Sequence, residues 1–173
     1  MVRYVKQRNN FSCGPIAILN ALKWSKLGRF SYKNDFNWLR IQSGCSKIGT
    51  PHENLSPLIN RLFPKENKFL VRELHCPIFT EIDSFFRENS KGNKSIILSV
   101  AISSEEHPDG YVGHVFLISG KYNGNYFISH NNSKNSIVLI PKNDLKKVLL
   151  NRGEKYQNYY PHDFASDKNG ARY

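Results

Sequence analysis

The sequence predicts an α+β fold in which N-terminal helices pack on a C-terminal antiparallel sheet. Apolar residues recur at helical spacing in the first half, whereas short β-branched runs begin at Ser95. Asn123-Gly124, between two such runs, is typical of a β-hairpin turn. The 173 residues suit one domain with a buried core. We assign residues 1–160 to it and expect the polar tail, 161–173, to be loosely ordered.

Three helices are predicted in the N-terminal half. The first covers Gly14 to Trp24, where Pro15 suits an opening turn and the apolar residues extend nearly all round the helix. We therefore expect it to be central and buried. The others run from about Pro51 to Phe63 and from about Phe79 to Glu88, with apolar residues three and four positions apart.

Four strands and one short helix are predicted after Ser95. The strands are the apolar runs Ile96 to Ile102, Gly113 to Ser119, Tyr126 to Ser129 and Ser136 to Ile140. The helix spans Asn143 to Leu150.

The composition restricts the partners that the chain could have. The formal net charge is +11, which favours nucleic acid, acidic protein or anionic lipid, although the basic residues form no block and equally fit a solvated surface. Because no apolar run approaches the ~20 residues of a membrane span and the N-terminus lacks a signal-peptide pattern, we expect a cytoplasmic protein.

The three cysteines show no C-x-x-C spacing, so the sequence favours neither a disulfide scaffold nor a zinc site. Cys45 and Cys76 are predicted to be small apolar packing residues. Trp24, Phe36 and Trp38 are predicted to belong to the core.

Cys13 is the candidate nucleophile. It directly precedes Gly14-Pro15 and the first predicted helix, where unpaired N–H groups and the helix dipole favour an anion. Only the thiolate attacks carbonyl groups, and a free cysteine, with a pKa of about 8.5, needs such help near neutral pH. Gly14 leaves room for a substrate backbone to approach.

His114 is the candidate base. Histidine suits proton transfer near neutral pH, and among the six histidines only His114 opens a predicted core strand directly after a glycine. Without a cysteine in this context, a histidine at such a position would be read as a packing residue.

A third residue should accept the second imidazole N–H. With Asn123-Gly124 as a two-residue turn, Tyr122 faces Asn125, and Asn131 falls opposite Phe116 on the sheet face of His114. Asn131 is therefore the predicted orienting residue. A turn longer by one residue would shift this role to His130 or Asn132.

Gln7 is the candidate side-chain donor to a tetrahedral oxyanion, beside the backbone N–H of the nucleophile. It lies six residues before Cys13, on a segment that could fold back toward the sulfur. Taken alone, a glutamine at this position would be read as a surface residue.

These motifs resemble the bacteriocin-processing, double-glycine leader peptidases and their stand-alone relatives, a branch of the papain-like cysteine proteases. The resemblance is carried by Gln7 to Pro15, the apolar helix, Ile48-Gly49-Thr50, and Gly113-His114 with its hairpin. It implies a papain-like fold with Cys13 as nucleophile, His114 as base and Gln7 in the oxyanion hole. Asn131 is the residue that best matches the orienting Asp of the family. The Asp-Pro pair of that family is replaced here by His130-Asn131-Asn132, and nothing in the sequence resembles the membrane transporters to which the best-known members are fused.

The predicted function is a cysteine peptidase that hydrolyses peptide or isopeptide bonds and needs neither metal nor cofactor. Its partner would be a peptide or protein substrate. Two alternatives remain open at this stage: a thiol-dependent acyltransferase or transpeptidase, and a catalytically silent binding module with a basic surface.

Overall fold

The structure, a computed structural model, describes residues 4–26, 30–62, 79–88, 95–103, 111–130 and 137–147. Its helices are α1 (Cys13–Ser25), α2 (Tyr32–Gln42), α3 (Leu55–Leu62), preceded by a 3-10 turn (His52–Asn54), α4 (Phe79–Glu88) and α5 (142–147). Its strands are β1 (Ile96–Ser103), β2 (Tyr111–Tyr122), β3 (Tyr126–His130) and β4 (Val138–Pro141). Four helices thus precede an antiparallel sheet, and the predicted α+β layout is confirmed.

The four strands form one antiparallel sheet in the order β1-β2-β3-β4. Each strand pairs with the next in the chain, so the sheet is a meander built from local connections. Along β1 and β2 the register joins Ile97 to Leu117 and Val100 to His114. Because side chains alternate between the two faces of a strand, this register decides which residues of β2 meet the helices.

Two apolar clusters cover the two faces of the sheet. On one face, α1 packs against β1 and β2, with Val115 and Leu117 pointing toward the helix. On the other face, α4 contributes Ile82 and Phe86 to a cluster with the remaining apolar side chains of the sheet. Every residue from Cys13 to Leu22 is buried, so α1 is central. This position was expected, because the helix is apolar nearly all round.

Ion pairs tie α4 to the sheet at the edge of this second cluster. Asp83 on α4 lies 2.7 Å from the Lys121 ammonium and 3.0 Å from that of Lys142. Although burial acts in the other direction, hydrogen bonds from the two lysines hold the pKa of the Asp83 carboxyl below its usual value. The pairing fixes the face of α4 that packs on β2 and β3.

Helix α2 is absent from the sequence prediction, and its N-terminus explains why it forms. The Ser31 hydroxyl accepts from the Asn34 N–H at 3.2 Å, and the Asp35 carboxylate accepts from the Ser31 N–H at 2.6 Å. These reciprocal bonds satisfy N–H groups that a helix start leaves without partners. Local capping rather than a strong apolar stripe therefore defines this helix.

The side chains of α2 divide between core and solvent. Phe36 is 8% exposed and lies in the core, as predicted. Trp38 is 45% exposed, so its assignment to the core is wrong. The Arg61 guanidinium lies 5.9 Å from the centroid of the Trp38 ring, and this contact gives the indole a partner at the surface.

The hairpin between β2 and β3 has a three-residue turn, Asn123 to Asn125, so the predicted two-residue turn is wrong. Tyr122 pairs with Tyr126 rather than with Asn125. A bulge at Ser119 then removes the offset, so that Leu117 pairs with His130. The bulge restores the register that the sequence predicts for the end of the hairpin near α1.

Other predicted elements agree with the structure in their described parts. The predicted helix from Pro51 is helical from Leu55, after the 3-10 turn, and α4 has the predicted bounds. Cys76, residues 148–150 of the last predicted helix and the tail, 161–173, lie outside the described residues. Within the described ranges, no helix is both long enough and apolar enough to span a bilayer.

Candidate active site

Cys13 is the first residue of α1 and is only 7% exposed. The chain enters the helix through a turn held by Asn9, whose side-chain oxygen accepts from the N–H groups of Phe11 and Ser12 at 3.2 and 2.9 Å. This turn fixes the backbone just before the helix. The candidate nucleophile is therefore held on both sides, by the turn and by the buried helix.

Two kinds of interaction have opposite effects on the pKa of the Cys13 thiol. Burial is the largest influence and raises the pKa of the thiol above its ordinary value. The backbone amide groups of Val115 and Gly14, and of Cys13 itself, lower it. The resting sulfur is thus a protonated thiol surrounded by amide groups that would stabilise an anion.

Gly14 leaves no space beside it for a side chain. A Cβ atom at this position would lie 2.9 Å from Cβ, Cγ2 and Oγ1 of Thr50. The side chain of Thr50 therefore packs directly on the first turn of α1, next to the candidate nucleophile. This close approach explains the glycine in Cys13-Gly14 better than a need for unusual backbone angles, because Gly14 is helical.

The His114 imidazole lies on the sheet face opposite to Cys13. His114 pairs with Val100 in β1, and its ring centroid is 5.7 Å from that of Phe116, so it belongs to the face of the α4 cluster. Cys13 packs with Val115, the next residue of β2. In the part of the chain that the structure describes, the Cys13 sulfur thus contacts the backbone of Val115 and not the imidazole of His114.

Burial lowers the pKa of His114 from 6.5 to about 4. Between those two values the unfolded chain binds a proton at His114 that the folded protein does not, so stability falls as the pH drops through this range. Because the surface of His114 as a whole is only partly buried, solvent screening weakens this effect, and we expect acidification from about pH 7 to pH 4.5 to cost about 2 kcal/mol through this residue.

A His114→Gln variant tests this expectation. Urea unfolding should show that the variant loses about 2 kcal/mol less than the parent between about pH 7 and pH 4.5, because glutamine has no proton to bind. The comparison of the two proteins cancels the contributions of all other titrating groups. Equal losses would contradict the buried, neutral imidazole.

Gln7 is buried, with 6% of its surface exposed, and does not behave as a free surface residue. Its Nε2 donates to the carbonyl oxygen of Asn9, in the turn that precedes Cys13. Its Oε1 is buried and has no hydrogen-bond partner among the described residues. One amide hydrogen is thus engaged, and the second is the donor that an oxyanion role would use.

The predicted orienting residue, Asn131, and its alternative Asn132 lie outside the described residues. The other alternative, His130, is 2% exposed and pairs with Leu117, which places it on the face of α1. Its ring stacks on Tyr4 with a centroid distance of 3.7 Å, and its Nε2 lies 2.7 Å from the Ser119 hydroxyl. His130 is thus on the opposite face from the His114 ring.

Cys45 is a second buried thiol near the candidate nucleophile. It is 8% exposed, and its Sγ donates to the carbonyl oxygen of Phe11 at 3.3 Å, two residues before Cys13. The proximity of Cys45 is one of the smaller effects that raise the pKa of Cys13. The position agrees with the prediction of a packing cysteine.

Sequence reasoning did not find the roles of Asn9, Thr50 and Tyr4 around this site. Asn9 carried a local signal, because an asparagine two or three residues before a helix often accepts from backbone N–H groups. Thr50 belongs to a segment that carries the family resemblance, but neither it nor Tyr4 carried a signal for its contact, since the contacts with Gly14 and His130 join distant segments of the chain.

Comparison of the chain with protein-family models and with curated protein sequences found no match.

Proposed function

We propose that the protein is a papain-like thiol hydrolase that cleaves peptide or isopeptide bonds with Cys13 as its nucleophile. One observation carries the proposal: the Cys13 sulfur lies at the start of a buried helix, where burial raises the pKa of the thiol but the amide groups of Val115, Gly14 and Cys13 oppose this effect and would stabilise an anion. Amide groups that would stabilise an anion on sulfur would also stabilise one on the oxygen of a tetrahedral intermediate beside it.

In the proposed reaction the Cys13 thiolate forms a bond to the substrate carbonyl carbon, and the carbonyl oxygen becomes an oxyanion. The Cys13 N–H and the second N–H of the Gln7 amide would stabilise this charge. Collapse of the intermediate breaks the C–N bond, and the amine leaves with a proton from the base. Water then hydrolyses the thioester and regenerates the thiol, so the scheme needs no metal or cofactor.

His114 is the proposed base, with Asn131 as its orienting residue. In the described state the imidazole faces the α4 cluster, and the adjacent residue, Val115, contacts the sulfur. Catalysis through His114 therefore requires the start of β2 to turn so that the ring reaches the face of α1. The raised pKa of Cys13 agrees with a resting enzyme whose thiol ionises only when this base arrives.

Competition between two buried thiols tests the proposal. Cys13 and Cys45 are 7% and 8% exposed, so accessibility alone would label them equally. We expect a peptidyl chloromethyl ketone to alkylate Cys13 selectively, as read by peptide mapping, and His114→Ala to slow that reaction about tenfold or more. Equal, slow labelling of both cysteines would refute the proposed function.

The molecule that accepts the acyl group from the Cys13 thioester distinguishes hydrolysis from acyl transfer. The acyl-enzyme formed from a thioester peptide should release free acid in water. If added amines or thiols capture the acyl group in preference to water, the enzyme is an acyltransferase or transpeptidase instead.

A catalytically silent binding module is the second candidate, and the position of His114 favours it. A fold that keeps this imidazole packed beside Phe116 does not offer His114 as a base to Cys13. Its ligand would be acidic, given the net charge of +11. The same labelling experiment separates the two functions, because a silent module would give Cys13 no advantage over Cys45.

A further inference from the structure

Thr50 has a buried hydroxyl group that no residue in the described part of the chain uses. Its Oγ1 is inaccessible to solvent and has no hydrogen-bond partner there. Buried hydroxyl groups in folded proteins nearly always have a partner, so such an atom requires an explanation. The same is true of Gln7 Oε1 on the segment before Cys13.

The position of Thr50 places this hydroxyl at the candidate nucleophile. Its Oγ1 would lie 2.9 Å from a Cβ atom on Gly14, the residue that follows Cys13. The three heavy atoms nearest to the Gly14 site all belong to Thr50. The hydroxyl therefore lies against the first turn of α1, directly after the candidate nucleophile.

The loop before Thr50 holds the residue in this position. Ser46 and Gly49 exchange backbone hydrogen bonds of 2.9 and 3.2 Å, which close a tight turn. Gly49 has φ of +116°, a conformation that side chains rarely adopt. The Asn54 amide donates to the Ser43 carbonyl oxygen at 3.2 Å and ties the two ends of the loop together. The backbone is thus set so that Thr50 faces Gly14, and its hydroxyl has no hydrogen-bond partner among the described residues.

We propose that Thr50 is a substrate-contacting residue whose hydroxyl hydrogen bonds a backbone group of the peptide bound over Cys13. Rotation about the Cα–Cβ bond moves Oγ1 among the three positions around Cβ, and so lets it turn from Gly14 toward a peptide group that binds near the start of α1. The inference rests on the proposed function and adds to it a recognition element outside the predicted catalytic residues.

Two variants and two reagents test the role of Thr50. Thr50→Val keeps the shape of the side chain and removes the hydroxyl, whereas Thr50→Ser keeps the hydroxyl. The reagents are a peptidyl chloromethyl ketone, which offers backbone groups, and methyl methanethiosulfonate, which offers none. Both modify the Cys13 sulfur, and peptide mapping measures both rates at that residue.

We expect Thr50→Val to react about tenfold more slowly with the peptidyl reagent and at an unchanged rate with the small one, because one hydrogen bond to the peptide is lost. Thr50→Ser should stay within about threefold of the parent with both reagents. The thermal midpoint of Thr50→Val should not fall, since the Thr50 hydroxyl makes no hydrogen bond to the described residues.

The inference is overturned if Thr50→Val keeps the parental rate with the peptidyl reagent, or if both reagents slow equally. If Thr50→Val lowers the thermal midpoint but leaves the ratio of the two labelling rates unchanged, the role of Thr50 is purely structural. This result would also overturn the inference. These outcomes differ from failure of the proposed function, in which the parent protein itself would show no preference for Cys13 over Cys45.

Discussion

A Cys13→Ala variant is expected to form no adduct with a peptidyl chloromethyl ketone at this position and to lose peptide turnover by roughly 10³-fold or more. The sulfur supplies the bond that carries the reaction, and alanine leaves the surrounding amide groups without a nucleophile. Turnover can be measured with a mixed-sequence fluorogenic peptide library, which requires no knowledge of the preferred substrate. Alanine also fits this buried position without adding volume.

Cys45→Ala is the matched control for this variant. Both cysteines are buried to the same extent, yet only Cys13 lies at the start of α1. The control should retain the adduct at Cys13, and its activity should stay within about threefold of the parent. Equal loss in the two variants would show that the effect comes from packing and would contradict a nucleophilic role for Cys13.

A Phe127→Ala variant is expected to lower the free energy of unfolding by about 3–5 kcal/mol. Phe127 is fully buried, and its ring makes edge contacts with Phe79 and Phe86 of α4 at centroid distances of 6.1 and 6.0 Å. Truncation leaves a cavity between the sheet and α4 and removes both aromatic contacts. Urea unfolding followed by tryptophan fluorescence measures the loss.

Tyr126→Ala serves as the control, because its side chain belongs to the same strand but is 39% exposed. We expect this variant to lose about 1 kcal/mol or less. If the two substitutions were equally costly, the assignment of Phe127 to the interior and Tyr126 to the surface would be wrong.

The parts of the fold that were predictable from the sequence share a strong local pattern. Helix α1 is apolar nearly all round, and the β-branched runs on either side of Asn123-Gly124 define β2 and β3. Helix α2 lacked such a pattern, since only Phe36 and Leu39 are buried. Its formation depends on the capping bonds of Ser31 and Asp35, which are weaker signals in a sequence than apolar spacing.

The site was less predictable than the fold, because its parts come from distant segments. The position of Cys13 at the start of a helix depends on adjacent residues, and the structure has that arrangement. The face of β2 that meets α1 depends on how the sheet packs, and the sequence of β2 is apolar on both faces. Strand periodicity could therefore not decide whether the His114 side chain points toward Cys13.

The bulge at Ser119 allows the hairpin to change length at its turn without a change of register near α1. One additional residue in the turn and one additional residue in β2 offset each other, and Leu117 still pairs with His130. Removal of one residue from the turn can be absorbed if the strand straightens at Ser119, with no change in which side chains face α1. A change in the length of the turn therefore does not alter the strand register near the nucleophile. For this reason the tip of the hairpin is a suitable place for an insertion.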